Sequence, residues 1–150
     1  MVFAGEGYAS KEMHKIVEQF GLGDQVVFLG VITDRKVLQH VYAASDLLVF
    51  PSIYDNSPLV IQEAAAFDVP TVIVRDSSTS EGILDGVNGF LIENEVAALA
   101  GRIGELMRHP GAIRKAGEGA RKTIYHPWEG IVDDVHMRYA ELIRDHRKTA

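Results

Sequence analysis

The sequence predicts an α/β fold, a doubly wound parallel sheet of Rossmann-like type. Three observations carry that expectation. Short apolar runs alternate with amphipathic segments along the chain. One run, residues 47–50, is continuously apolar, as strands covered on both faces are. Polar or glycine-bearing turns follow the runs, and in open parallel sheets ligands bind beyond the carboxyl ends of the strands.

Residues 2–4 read as a first short strand, followed by the turn Gly5-Glu6-Gly7. Ser10 is placed to cap a helix to Phe20, with Met13, Ile16, Val17 and Phe20 at helical spacing. Gly21 and Gly23 end it, and residues 26–29 read as a second strand. Thr33 or Asp34 caps the next helix, whose apolar face is Val37, Leu38, Val41 and Tyr42. After the strand at 47–50, Ser57 and Pro58 open a short helix to Phe67, as N-cap and first-turn residue. A fourth strand covers 71–74, and a polar loop, read as solvated, spans 75–80. The turn Val87-Asn88-Gly89 leads into a strand at 90–92. Helices are expected at 96–108, 111–123 and about 129–147, with Trp128 as a packing anchor for the last.

A chain of 150 residues is about one domain's length, and residues 1–150 are expected to form one domain. Fifteen basic against 21 acidic residues give a formal charge of −6, and no Lys/Arg stripe stands out, which argues against a nucleic-acid footprint. The absence of cysteine removes disulfides, thiolate zinc sites and cysteine nucleophiles, and fits a cytoplasmic location. No apolar run approaches the roughly 18 residues of a membrane span, and the start has no signal-peptide pattern. A soluble, cytoplasmic protein is expected, with peripheral membrane association of the full-length protein left open.

Residues 49–71 hold the densest chemistry. A strand runs into a polar turn, and the turn into a nearly all-apolar helix expected to bury Leu59, Val60, Ile61, Ala64, Ala65 and Phe67. The amides of Leu59 and Val60 have no partner inside such a helix, and the macrodipole favours an anion there. Glu63 is a carboxylate in this apolar helix, so it must be solvated, paired or bound to ligand hydroxyls. As an acceptor-only group it suits a ribose diol, and an exposed edge position is the plain alternative. Asp55, eight residues earlier, reads equally as turn chemistry or as a ligand contact. Gly5-Glu6-Gly7 and Gly30 either admit a ligand to the backbone or only make turns. The six histidines show no H-x-x-x-H pair, and there is no P-loop, no G-x-S-x-G and no Asp-x-Asp. No metal ligands and no cofactor are expected.

With these residues in view, the chain resembles the C-terminal, nucleotide-sugar-binding half of glycosyltransferases with the two-Rossmann-domain GT-B fold, in the retaining family 4 or glycosyl transferases group 1. The resemblance rests on FAGEG near the start, VVFLG at 26–30, AASDLLVFPS at 43–52, the PLVIQEAAA helix, VPTVIV, EGILDGVNGFLI at 81–92 and PWEGIV, in this order and spacing. It implies that Glu63 holds the nucleotide ribose and that Asp55 contacts the donor sugar. The family's first acid is Glu, so Asp55 is one methylene shorter. Where the family has Gly-Phe-Gly, this chain has Asn56-Ser57-Pro58. Pro58 has no N–H, which shifts sugar and phosphate contacts to Asn56, Ser57, Leu59 and Val60. Backbone atoms of Gly30 and Val31 would meet the base, and Glu81 matches a recurring acid of structural or pocket-lining role. The family's phosphate-binding Arg and Lys are expected upstream of Val2, and the N-terminal acceptor domain outside the chain. The implied function is transfer of a hexose from a nucleotide diphosphate sugar to a carbohydrate or lipid-linked acceptor, with retention and without metal. The chain alone would bind donor weakly and transfer little or nothing.

Three rivals come from other classes. A phospho-receiver module needs an acidic pair after its first strand and a late lysine, but Gly5-Glu6-Gly7 offers one acid and no Lys follows residues 71–74. A nucleotide-sugar epimerase would release product without an acceptor. A noncatalytic nucleotide-binding module would bind and not turn over.

Overall fold

The computed structural model describes residues 1–55 and 59–149, with the side chains of 147–149 excepted. Asn56, Ser57 and Pro58, and with them the expected cap of the central helix, lie outside the described residues. The chain divides into two compact units, Met1–Ala44 and Ser45–Ala150.

The first unit contains β1 (Val2–Phe3), α1 (Ser10–Gln19), β2 (Val27–Phe28) and α2 (Arg35–Ala43). β1 and β2 pair in parallel, Val2 opposite Val27 and Phe3 opposite Phe28. The rings of Phe3 and Phe28 stack with centroids 5.3 Å apart, and the α1 imidazole of His14 lies 3.9 Å from Phe28. Ser10 is not the cap of α1. It is the first helical residue, and its Oγ accepts the Gly7 N–H at 2.9 Å, so it ties the glycine turn to the helix. Met13 and Val17 are half-buried, but Ile16 and Phe20 are exposed, because two-residue strands offer little surface to cover a helix. In α2 the capping role falls to Asp34, whose Oδ1 accepts the Lys36 N–H at 2.8 Å, and Tyr42 is buried.

The second unit contains β3 (Leu48–Phe50), α3 (Leu59–Ala65), β4 (Thr71–Val74), β5 (Gly89–Ile92), α4 (Val96–Arg108), α5 (Pro110–Thr123) and α6 (Trp128–Thr149). Its sheet has the order β3-β4-β5 with every pair parallel, so the strands of the chain form two parallel sheets, one in each unit. β4 is central and all four of its residues are buried; β3, expected to be covered on both faces, is only half-buried at the sheet edge. Side-chain alternation along β4 divides the core. Val72 and Val74 pack with Phe90, Ile92, Leu106 of α4 and Ala116 of α5, whereas Ile73 packs with Ile61 of α3 and Ile83. Helices therefore cover both faces. Each fully buried Val, Ile or Phe removes enough apolar surface to contribute about 1.5–3 kcal/mol.

Two glycines let α5 approach its neighbours closely. A Cβ at Gly117 would collide with the Asp68 carbonyl, and one at Gly119 with the Val87 carbonyl. Asp68 ends α3 in the left-handed region at φ 59°, where its neighbour Val69 donates its N–H to the Ala64 carbonyl at 3.1 Å.

α6 has 22 residues, about 33 Å at helical rise. Trp128, expected as a packing anchor, is 68 % exposed, and Val132, Val135, Tyr139, Leu142 and Ile143 of the same helix are exposed with it. Among the described residues no helix is long and apolar enough to cross a membrane.

Candidate functional site

The parallel register of β3 and β4 sets Phe50 opposite Ile73, so the loops leaving both strands emerge at the same end of the sheet. Residues 51–55 follow β3 and residues 75–80 follow β4. The second loop holds the first through hydroxyls. Ser78 Oγ donates to the Asp55 carbonyl at 2.9 Å and accepts the Asp55 N–H at 3.3 Å. Thr79, itself buried, donates to the Ser52 carbonyl at 3.0 Å. Ser77 and Ser80 brace the loop internally, on the Val74 and Ser77 carbonyls. The expectation of a solvated loop is corrected here: unpaired carbonyls at a strand end need donors, and these hydroxyls supply them. Arg75 does not face an anion but pairs with Glu93 at 3.2 Å.

Beside Asp55 lies a cavity of about 520 Å³ lined by Ile61, Gln62, Ser78, Thr79, Glu81, Gly82, Ile83, Thr123, Ile124 and His126. Its far wall is positioned by Asn88, which is buried. Asn88 Oδ1 accepts the Leu84 N–H at 2.6 Å, and Nδ2 donates to the Gly82 carbonyl at 3.0 Å and to Thr123 Oγ1 at 2.9 Å. Thr123 in turn donates to the Gly119 carbonyl at 2.9 Å. One side chain thus ties the turn before β5 to the end of α5.

Of the sequence-expected residues in this unit, Asp55 is half-buried and lines the cavity. Glu63 is half-buried on α3 and is not part of the cavity lining. Val60 is half-buried as expected, but Leu59 is 56 % exposed, because the first residue of a short helix projects past the sheet it covers. Asn56 and Ser57 lie outside the described residues. Glu81, expected as structural or pocket-lining, does line the cavity.

Gly30 and Val31 belong to the first unit. Gly30 has φ +62° and its carbonyl accepts the Gly5 N–H at 2.7 Å, with Gly5 itself at φ +115°. Both positions need glycine because L side chains are strained there. The two glycine turns are therefore one hydrogen-bonded device at the carboxyl ends of β1 and β2. Val31 follows it with an exposed side chain.

Sequence reasoning did not single out Gln62, Ser78, Thr79, Asn88, Thr123 or His126 as site residues. The available signal was hydroxyl density: Ser77-Ser78-Thr79-Ser80 at the carboxyl end of a strand is a supply of side-chain donors for backbone carbonyls.

Comparison with known proteins identifies the chain's relatives. The family model described as glycosyl transferases group 1 matches residues 1–123. The D-inositol 3-phosphate glycosyltransferase of Mycolicibacterium smegmatis is 29% identical over 96% of this chain and 33% of its own length. Sucrose-phosphate synthase from Thermosynechococcus elongatus superposes with a TM-score of 0.80 at 25% identity, over 96% of this chain and 38% of its own. A TarM variant from S. aureus, in complex with fondaparinux, alpha-GlcNAc-glycerol and UDP, gives a TM-score of 0.73 at 28% identity, over 82% of this chain and 25% of its own. The chain thus spans about a third of the length of the curated relatives it matches. With strands, turns and spaced acids matching in order over residues 1–123, the chain belongs to the glycosyl transferases group 1 family.

Proposed function

We propose that the chain forms the nucleotide-sugar donor site of a retaining glycosyltransferase, which moves a hexose from a nucleotide diphosphate sugar to a carbohydrate or lipid-linked acceptor. The observation that carries this reading is the Asp55 turn, held at both its N–H and its carbonyl by Ser78 at the carboxyl end of β3, in a chain of this family. A turn fixed in advance can present a carboxylate to sugar hydroxyls without reorganisation on binding. In this reading Asp55 meets the donor sugar and Glu63 the ribose. Asn56, Ser57 and the amides of Leu59 and Val60 meet the phosphates, and backbone atoms of Gly30 and Val31 meet the base. The amides would stabilise charge on the leaving diphosphate, with neither metal nor cofactor. The UDP bound by the TarM variant supports a nucleotide as ligand.

A second, acceptor-binding domain completes the enzyme in this reading, and the chain by itself transfers little. The relatives' greater length supports this, and so does the exposed apolar side of α6. The polar residues of α6 are mainly acidic (Glu129, Asp133, Asp134, Glu141 and Asp145 against Arg138 and Arg144), which fits a protein surface better than an anionic lipid one.

The test is an NMR titration of the chain with UDP, GDP and ADP and their hexose conjugates, repeated on Glu63→Ala. Binding by one nucleotide, weakened in Glu63→Ala, is the expected outcome. No binding at millimolar concentration refutes the donor site. Unchanged binding by Glu63→Ala refutes the ribose role.

A further inference from the structure

The cavity beside Asp55 has a lining whose chemistry selects among the parts of a nucleotide sugar. It holds two carboxylates, Asp55 and Glu81, and no Lys or Arg. A diphosphate brought among these groups would meet like charge with no compensating cation. The remaining polar groups are the amide of Gln62, the hydroxyls of Ser78, Thr79 and Thr123, and the imidazole of His126. Ser78, Thr79 and Thr123 are already committed to backbone carbonyls. That leaves two carboxylate acceptors, an amide that donates and accepts, and an imidazole that does both. Such a set matches neutral hydroxyl groups, each of which donates one hydrogen bond and accepts others. At about 520 Å³ the space falls within the range of about 300–1,000 Å³ common to small-ligand sites.

We propose that this cavity is a polyol subsite in which His126, with Gln62 and Glu81, reads the hydroxyls of the donor's hexosyl group. The inference rests on the donor-site reading above. His126 stands on the link between α5 and α6, where it also borders a second cavity of about 400 Å³ lined by Pro127, Gly130, Ile131, Asp134, Val135 and Arg138. Its backbone lies three residues past Thr123, the residue that Asn88 ties to Gly82, so this wall of the cavity is held from both sides. Glu81 lies next to Gly82 on the opposite wall, and Gln62 reaches the cavity from α3. The hexose would therefore be contacted from three elements remote in sequence, and its identity would depend on His126 as well as on Asp55.

The test separates sugar recognition from nucleotide recognition. Affinities of the wild-type chain, His126→Ala, His126→Gln and Gln62→Ala are measured by NMR titration for UDP, GDP and ADP, each free and as its glucose or mannose conjugate. The wild type should prefer one conjugate over its free nucleotide. In His126→Ala that preference should fall about five- to tenfold, as for loss of one or two hydrogen bonds, with free-nucleotide affinity unchanged. His126→Gln should recover part of it. His126 is exposed, so both variants should fold, as their amide spectra will show. An unchanged preference in His126→Ala, or an equal loss for conjugate and free nucleotide, overturns the subsite while leaving the donor reading intact. Failure of the wild type to bind any of the six probes overturns the donor reading and the subsite with it.

Discussion

Asn88 offers the sharpest test of how the site is held together. Replacing it with alanine removes three hydrogen bonds at once, to the Leu84 N–H, the Gly82 carbonyl and Thr123 Oγ1. Two backbone groups lose their partner, and each buried group so stranded costs about 1–3 kcal/mol. Leu84 and Gly82 are partly open to water, so the lower end of that range applies to both. Adding the void left by an amide that is 2 % exposed brings the expected loss to about 3 kcal/mol. That is a large share of the roughly 5–15 kcal/mol that keeps a domain folded. Urea denaturation followed by far-UV circular dichroism reads it directly. With a slope of about 1–3 kcal/mol/M, the midpoint should fall by about 1–3 M with the slope unchanged. A double-mutant cycle with Thr123→Val should give a coupling of about 0.5–1.5 kcal/mol, since Thr123 shares the network. A midpoint shift under about 0.3 M, or additivity of the two variants, would refute the view that Asn88 anchors the cavity wall.

Other substitutions probe the close approach and the turn. Gly119→Ala should lower the thermal midpoint by several degrees or prevent folding, because its Cβ would meet the Val87 carbonyl; Gly104→Ala on α4, with only the Arg108 side chain nearby at 3.7 Å, should be neutral or stabilising and serves as the control. Ser78→Ala should cost only about 1 kcal/mol of stability but speed hydrogen exchange at the Asp55 amide by about tenfold or more, an effect that unchanged exchange would rule out. Asp68→Gly should stabilise the chain by about 0.5–1 kcal/mol, since glycine takes φ 59° without strain, whereas Asp68→Val should destabilise it in the same denaturation assay.

Much of the architecture was legible in the residues because its causes are local. Alternation of apolar runs located β4 at Thr71–Val74 and α4 at Val96–Arg108, and turn chemistry marked the cap at Asp34. Gly30 was visible as a special position, and its φ of +62° gives the reason. Asp55 was legible as a residue of the site, since an acid at a strand's carboxyl end is placed by sheet topology alone.

Local signals end where partners become remote. The hydroxyls of Ser78 and Thr79 find their carbonyls only because β3 and β4 pair in parallel and bring two separate loops to one end of the sheet. Asn88 reads as an ordinary turn residue until α5 delivers Thr123 to it. Gly117 and Gly119 look like weak points in a helix, yet the fold uses their missing side chains to seat α5 on two turns. The exposure of Leu59 and Trp128 likewise followed from which surfaces meet, and not from their hydrophobicity. Residue type and spacing determined which elements form and which acids stand near a ligand. Tertiary packing decided what each polar side chain bonds to, because a hydrogen bond reaches only about 3 Å and its partner is chosen by the fold.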